Sequence, residues 1–308
     1  MIVKMIQSEN FIVNEYDAFG PWIYKITYKN PMPALFLPYY KENDGYLMLI
    51  KIPRDIERRK AKPEMDLYDY VIGMYENYGY ILKRKDKEVE EIRFYYDEVE
   101  SIENHRSLLL GRLTINLKNN TVVIPYNAVS IEIVFELVKI IRDRYTKNAY
   151  KSTSIINRVN NCEIDTLYEN LIKEMVLKDD VFPIMAFQPD INLNNDNVRL
   201  GQKLLGVIRS KLLLSTVHLL NDRELLIIDR GESIQCGKIS VNSYRFIYVP
   251  IEKIGSIKFE KCKEYNNIQT VFVSTKVSRF RFYFNERNED LVDFYVKLSE
   301  INSTNSHY

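Results

Sequence analysis

Phe94-Tyr-Tyr-Asp-Glu-Val-Glu-Ser-Ile102 matches Val249-Pro-Ile-Glu-Lys-Ile-Gly-Ser-Ile257 position by position. Each stretch is a short apolar run followed by an acid, a β-branched residue and the pair Ser-Ile. Self-similarity within one chain indicates a repeated structural unit. The match therefore predicts two diverged copies of one unit.

Three further matched stretches occur in the same order in both halves, one upstream and two downstream. Upstream, residues 47–56 resemble residues 183–191; downstream, Thr121-Val-Val-Ile-Pro-Tyr126 matches Arg279-Phe-Arg-Phe-Tyr-Phe284, and residues 130–143 align without a gap with 288–301. We refer to residues 47–145 as the first copy and residues 181–301 as the second copy.

Each copy is predicted to be mostly β, with one helix at its C-terminal end. Short runs rich in Val, Ile, Phe and Tyr, separated by polar turns, are typical of antiparallel strands. Ser130 and Asn288 are good helix N-caps. The apolar residues that follow recur with helical period, at Val134, Leu137, Val138 and Ile141 in the first copy and at Leu291, Phe294, Tyr295 and Leu298 in the second.

A unit of about a hundred residues with many short antiparallel strands and one closing helix resembles the pleckstrin-homology-like (PH-like) barrel, whose helix plugs an open end of the bent sheet. Tyr96-Asp-Glu-Val-Glu-Ser-Ile102 and Ile251-Glu-Lys-Ile-Gly-Ser-Ile257 resemble a strand of bacterial PH-like and GRAM-like domains. The resemblance implies an α+β, mostly β fold of two PH-like barrels in tandem. It also implies binding of phosphoinositide headgroups, peptides or other domains, because PH-like domains are seldom enzymes.

The resulting domain organisation has five parts. Residues 1–46 form an N-terminal extension packed on the first barrel, and residues 47–150 the first PH-like domain. Residues 151–180 form a linker with an amphipathic helix, because Ile164, Leu167 and Leu171 lie on one helical face. Residues 181–301 form the second PH-like domain, and residues 302–308 a disordered tail.

Composition favours a reduced, cytoplasmic protein that binds no nucleic acid. Lys+Arg 43 against Asp+Glu 42 gives a net charge of +1, without the basic excess that phosphate binding demands. The three cysteines, Cys162, Cys236 and Cys262, form no metal-binding or disulfide pattern. The N-terminus has no apolar core of signal-peptide length, so a cytoplasmic location is expected.

No catalytic residue, cofactor or metal is expected. The sequence lacks GxGxxG, GxxxxGK[ST], HExxH and GxSxG. His218 lies in an apolar run typical of the core, whereas His105 lies in a predicted loop with no nucleophile at a telling spacing. His307 is near the C-terminus, and Cys236 lacks a Cys-His signature. An enzyme that uses an unrecognised site is the second alternative.

A basic segment, residues 51–62, is the candidate binding surface. It contains Lys51 and the five predicted site residues Arg54, Arg58, Arg59, Lys60 and Lys62, against two acids. Attraction to an anionic membrane at about 1 kcal/mol per net charge gives about 4 kcal/mol, or roughly millimolar binding. A solvated loop is the alternative interpretation of this segment.

The leading functional hypothesis is a cytoplasmic, non-enzymatic binding or scaffold protein whose partner is a protein or peptide. Peripheral association with an anionic membrane through residues 51–62 is the alternative. The predicted first hairpins, at 76–78 and 221–223, lack the Lys-x-n-Arg-x-Arg pattern of lipid-binding relatives. The aromatic residues Phe36, Tyr39, Tyr40 and Tyr46 could line a peptide groove or pack the N-terminal segment onto the first unit.

Overall fold

The structure is a computed structural model that describes residues 15–41, 45–146, 164–176, 182–193, 211–236 and 243–305. The described residues form an α+β, mostly β fold with antiparallel sheets. None of the described helices is both long and apolar enough to cross a membrane.

The helices are α1 (Glu15–Ala18), α2 (Ile131–Tyr145), α3 (Thr166–Val176) and α4 (Glu289–Asn305). The strands are β1 (Tyr24–Lys25), β2 (Met48–Pro53), β3 (Tyr68–Met74), β4 (Tyr78–Lys85), β5 (Glu88–Tyr95), β6 (Val99–Ser107), β7 (Leu110–Leu117), β8 (Thr121–Asn127), β9 (Ile184–Gln188), β10 (Ile191–Leu193), β11 (Lys211–Leu213), β12 (Thr216–Leu220), β13 (Glu224–Asp229), β14 (Ile234–Cys236), β15 (Ser243–Pro250), β16 (Ser256–Lys261), β17 (Ile268–Ser274) and β18 (Arg279–Asn285).

Contacts divide the chain into two compact units. Unit 1 consists of Met1–Glu98, Leu109–Gly111 and Ile124–Tyr145, and unit 2 of Val99–Leu108, Arg112–Val123 and Thr146–Tyr308. The bounds of these units reflect which residues contact one another, whereas the bounds of the predicted domains reflect the sequence repeat. The predicted domain boundaries stay a prediction.

Unit 1 is built on one sheet, with strand order β1-β2-β3-β4-β5. Phe36 is fully buried, and Tyr39 and Tyr40 pack beside it against the same core as Tyr80. The Tyr80 hydroxyl donates to the carbonyl oxygen of Tyr39 over 3.0 Å. These three aromatic residues of the predicted cluster therefore pack the N-terminal segment onto the sheet, while Tyr46 is 40% exposed.

Unit 2 has a core of its own. Strands β9, β12, β13 and β15 pair in that order, and β15 continues the sheet by pairing with β6. Strands β16, β17 and β18 form a second sheet, and β10, β11 and β14 a third. The predicted apolar stripe of α4 is buried here, with Leu291, Phe294, Tyr295 and Leu298 at most 1% exposed.

The predicted landmarks lie on corresponding elements of the two copies. The order β2-β3-β4-β5 is repeated by β9-β12-β13-β15, and β6-β7-β8 by β16-β17-β18. The two stretches that begin at Phe94 and Val249 each end a strand, form a 3₁₀ turn (Tyr96–Glu98 and Ile251–Lys253) and begin the next strand. The second copy adds β10, β11 and β14.

The sheets differ from the barrels that the resemblance implies. Within the described residues, each of the four sheets has two open ends and none closes into a barrel. The physical reason lies at β6, whose edge is hydrogen-bonded to β15 of the second copy.

The helix ends also differ from expectation. Asn288 caps α4 as predicted, because its Oδ1 accepts from the backbone of Leu291 over 3.1 Å. Ser130 instead lies in a 3₁₀ turn (Ala128–Ser130), and its hydroxyl accepts from Ile23 N over 2.9 Å. Asn127 caps this 3₁₀ turn, and its side chain accepts from Val129 N over 3.1 Å.

Helix α4 continues into the predicted tail. It ends at Asn305, so residues 302–305 are helical and only residues 306–308 lie outside the described part. Burial of Ile301 and a hydrogen bond from the Asn302 amide to the carbonyl of Ile254 hold this last turn. Helix α3 lies in the predicted linker, whose residues 151–163 and 177–180 lie outside the described part.

Candidate functional site

An open groove of about 1000 Å³ lies in unit 2. Ser233 and Ile234 line it where β14 begins, and Ser278, Arg279 and Arg281 line it on and beside β18. Strands β14 and β18 are each the last strand of a described sheet. We call this cavity the unit 2 groove.

Alternation along β18 sends its arginines into the unit 2 groove. Successive side chains of a strand point to opposite faces. Phe280, Phe282 and Phe284 are buried in the core, so Arg279 and Arg281 project from the other face. This strand therefore anchors two exposed cations on a rigid apolar base.

Aromatic rings hold the groove cations in place. The Arg279 guanidinium lies 3.8 Å from the ring centre of Phe272, and that of Arg281 lies 5.0 Å from the ring centre of Tyr283. Arg279 also lies 3.4 Å from Glu260, but both side chains are more than half exposed, at 55% and 57%. Such a pair contributes little, so Arg279 can exchange it for a ligand carboxylate.

Arg245, which also lines the groove, is already neutralised. Its guanidinium contacts Asp229 Oδ2 over 2.6 Å and Glu103 Oε2 over 3.2 Å. Burial lowers the pKa of Arg245, but the attraction of Asp229 and Glu103 outweighs it and raises the pKa overall. This half-buried cluster therefore shapes the groove, and the exposed arginines are the groups that can bind.

Ser243 lies beside His105. This contact could not be predicted from the sequence. His105 Nε2 is 3.2 Å from the Ser243 hydroxyl, and both residues lie on paired strands, β6 and β15. Gly231, at φ 85°, lies against the imidazole so closely that any Cβ would overlap Nε2. Burial, followed by the nearby Arg112 and Arg245, lowers the pKa of His105.

Ser243 and His105 are placed like a nucleophile and its general base. Among the described residues, however, no third side chain orients the imidazole. A Ser-His pair works when a third side chain holds the other imidazole nitrogen. In the described part of the chain, no hydrogen bond reaches His105 Nδ1. The described residues also contain no group of three or more His, Cys, Asp or Glu that could hold a metal ion.

The other predicted reactive residues have structural roles or lie outside the described part. His218 is fully buried, with Nε2 3.0 Å from the Thr216 hydroxyl and Nδ1 2.8 Å from the Tyr295 hydroxyl. It is a core residue, as its apolar surroundings predict. Cys262 is buried, whereas Cys162, His307 and the side chain of Cys236 lie outside the described residues.

The five predicted binding residues lie in the loop between β2 and β3, where Arg58–Lys60 form a 3₁₀ turn. Arg54 is half-buried and donates to the Asp66 carbonyl over 3.0 Å. Arg58 lies 4.2 Å from the ring centre of Tyr16. Arg59 and Lys60 both contact Glu57, and Lys62 is exposed.

Lys51 does not belong to the exposed basic segment. It lies in β2, is 2% exposed and donates to the Pro31 carbonyl over 2.8 Å. Its ammonium lies 4.5 Å from the ring centre of Tyr68. Burial lowers the pKa of Lys51, partly opposed by Glu15. The cations available to a surface are therefore fewer than the sequence suggests.

Two of the predicted residues line a second groove, of about 350 Å³, with an apolar rim. Arg54 and Arg58 line it together with Leu109, Leu110 and Tyr126, and we call it the unit 1 groove. Leu109 and Leu110 are 60% and 70% exposed. The sequence signal for this rim is the run of three leucines at 108–110, a pattern that equally fits strand core.

Comparison of the chain with protein-family models and with curated protein sequences found no match. The interpretation of its function therefore depends on the fold and the two grooves.

Proposed function

We propose that the chain is a non-enzymatic binding protein built from two PH-like units, and that the unit 2 groove binds an extended peptide with acidic side chains. The observation that carries the proposal is the pair of exposed arginines, Arg279 and Arg281, on aromatic rings in an open groove. The cellular location expected for this function remains the cytoplasm.

The repeated element order supports the PH-like part of the proposal. Each copy has a meander of four strands, a 3₁₀ turn, three more strands and a C-terminal helix. That order agrees with the implied unit of short antiparallel strands followed by one closing helix. The open sheets leave strand edges available, and binding by strand addition uses such edges.

The spacing of the arginines defines the ligand. Residues two apart on a strand lie about 7 Å apart on the same face. Arg279 and Arg281 would therefore meet carboxylates at alternate positions of an extended peptide. Guanidinium groups bind carboxylates through paired, charge-assisted hydrogen bonds, and edge strand β18 can pair with the peptide main chain.

Fluorescence anisotropy with a labelled peptide that alternates Glu and Val tests this proposal, and the Gln-for-Glu peptide is its control. Arg281→Ala should weaken binding about tenfold, or ~1.4 kcal/mol. Lys258→Ala removes an exposed cation of the same sheet outside the groove and should leave affinity within about twofold. Equal binding of the Glu and Gln peptides would refute the proposal.

The enzyme alternative makes a different prediction. A hydrolase that used the pair of Ser243 and His105 would lose its activity in Ser243→Ala, while peptide binding by Arg281 would be unaffected. A broad screen with ester and amide substrates distinguishes the two functions. Turnover that Ser243→Ala abolishes would establish an enzyme.

A second candidate function is attachment of unit 1 to an anionic membrane surface. The specific observation is the exposed pair Leu109 and Leu110 beside Arg54 and Arg58 in one groove. Burying two leucines contributes about 3–6 kcal/mol, and each cation near an anionic membrane adds about 1 kcal/mol. These terms together exceed what the basic segment gives alone.

Co-sedimentation with phosphatidylserine vesicles tests the second function. Pelleting should exceed that with phosphatidylcholine vesicles and should fall in Leu110→Ser. Leu37→Ser is the matched control, because Leu37 is also exposed, at 59%, but lies outside the groove. Absence of pelleting with either lipid, or equal loss in both variants, would exclude membrane attachment at this site.

A further inference from the structure

One strand pairing joins the two copies. Strand β15 of the second copy pairs antiparallel with β6 of the first copy, from Ser243 opposite Ser107 to Tyr248 opposite Ile102. Strand β13 occupies the other edge of β15. We call the β15–β6 pairing the internal joint.

Each half of the internal joint has an equivalent strand with an open edge. In the repeat alignment, β5 corresponds to β15, since each ends directly before its 3₁₀ turn, and β16 corresponds to β6, since each follows that turn. Strand β5 ends the order β1-β2-β3-β4-β5, and β16 begins the order β16-β17-β18. In the described part of the chain, strand pairing stops at both edges.

We propose that β5 of one chain pairs with β16 of a second copy of this chain, in the register of the internal joint. The register that places Arg245 opposite His105 then places Glu90 opposite Glu260. It also places Val89 opposite Lys261 and Arg93 opposite Ile257. Main-chain hydrogen bonds along both edges would supply the association.

An ion pair between two diagonally placed side chains of the internal joint supports the proposed pairing of β5 with β16. In the internal joint, Arg245 of β15 contacts Glu103 of β6 over 3.2 Å, one step diagonal to the directly opposite pair. In the repeat alignment, Glu90 corresponds to Arg245 and Lys258 corresponds to Glu103. The proposed joint therefore has the same diagonal ion pair with its two signs exchanged.

The rest of the two edges is also complementary in charge. Glu91 of β5 is diagonal to Lys261 of β16, and diagonal side chains of this length reach one another. Glu90 and Glu260 stand directly opposite as like charges, but Glu260 already lies 3.4 Å from Arg279. Glu90 contacts Lys85 over 3.2 Å, and that lysine is 59% exposed and replaceable.

The joint is heterologous, because it uses two different surfaces of the chain. Each chain carries one β5 edge and one β16 edge, so every copy can bind two neighbours. Heterologous contacts give closed rings if the rotation between neighbours closes and open filaments if it does not. Assembly should accordingly proceed beyond a dimer as concentration rises.

Sedimentation velocity of the whole chain over a range of concentrations tests the proposal. The wild type should form species larger than a dimer, and Lys258→Glu should raise the apparent dissociation constant about tenfold, because two glutamates then meet. Glu90→Lys removes the ion pair with Lys258 but places a lysine opposite Glu260, so it serves as the partner of Lys258→Glu in a charge exchange. Lys29→Glu reverses an exposed cation away from both edges and should have no effect.

Mixing the two charge variants gives the sharpest outcome. The β5 edge of the Glu90→Lys variant presents a lysine to the glutamate that the Lys258→Glu variant carries on its β16 edge, so the ion pair forms again with its signs reversed. Each variant also retains one native edge for its partner. The mixture should therefore assemble as the wild type does, although Lys258→Glu alone assembles about tenfold more weakly. A monomeric wild type at all concentrations, or variants that remain apart when mixed, would overturn the proposal.

Discussion

Acid should destabilise unit 2 through one buried histidine. His218 is fully buried and hydrogen-bonded to Thr216 and Tyr295, and burial lowers its pKa to about 3. In the unfolded chain the imidazole has its ordinary pKa of 6.5. As the pH falls below 6.5, protons therefore bind the unfolded chain while folded His218 stays neutral, and folding loses stability.

The size of this effect follows from the two pKa values. Each pH unit below 6.5 removes about 1.4 kcal/mol until the folded value is reached. Between pH 7 and pH 5, His218 should therefore lower the free energy of unfolding by about 2 kcal/mol. His105 acts in the same direction, because burial also lowers its pKa.

Urea denaturation of the wild type and His218→Gln at pH 7 and pH 5, followed by circular dichroism, measures the effect. The variant should be less stable at pH 7, because the Tyr295 hydroxyl loses its imidazole partner. From pH 7 to pH 5, however, it should lose about 2 kcal/mol less than the wild type, since the other titrating groups are common to both. Parallel losses in the two proteins, or an NMR titration of His218 near pH 6.5, would refute the reasoning.

Two further substitutions test the packing and the electrostatics of the fold. Gly79→Ala should destabilise the protein by about 1–3 kcal/mol in thermal unfolding, because the new Cβ would overlap the buried ring of Phe94. Gly255→Ala, whose nearest atom lies at 3.5 Å, is its control, and equal losses would contradict the packing argument. Asp229→Asn should lower the free energy of unfolding by about 1–3 kcal/mol in urea, because Arg245 loses its most buried carboxylate partner and keeps only Glu103. An unchanged urea midpoint would show that the pair contributes nothing.

The repeat is readable in the sequence because equivalent positions need the same kind of side chain. The stretches from Phe94 and Val249 cover a strand end, a 3₁₀ turn and a strand start in both copies. Such a turn fixes where apolar residues must re-enter the core, so the pattern persists although most residues differ. The helical stripes at Val134 and Leu291 are predictable for the same reason, and both residues are buried.

Strand partners could not be predicted, because alternation determines faces but not neighbours. The pattern of β6 fits any antiparallel partner, and its pairing with β15 depends on residues far apart in sequence, such as Arg245 and Glu103. The expectation of closed barrels failed at this point. Likewise, counting charges placed Lys51 in a surface patch, although its strand directs it to the Pro31 carbonyl.

The binding residues are only partly accessible to sequence reasoning. Arg54 and Arg58 stand out by their charge, but the leucines beside them fit strand core equally well. Arg279 and Arg281 alternate with phenylalanines, a pattern that predicts exposed arginines. From the sequence alone, this pattern only aligns the two copies. That the arginines can bind a ligand becomes clear only from the groove between β14 and β18.

The diagonal charges also explain why the copies join to each other and do not close on themselves. In the register of the internal joint, β5 with β6 of its own copy would bring together Glu90 and Glu103. Strand β15 with β16 would likewise bring together Arg245 and Lys258. Like charges at neighbouring positions oppose both closures, whereas pairing between copies matches opposite charges each time. The same two residue pairs therefore disfavour closure within a copy, and in the proposed assembly they favour pairing between chains.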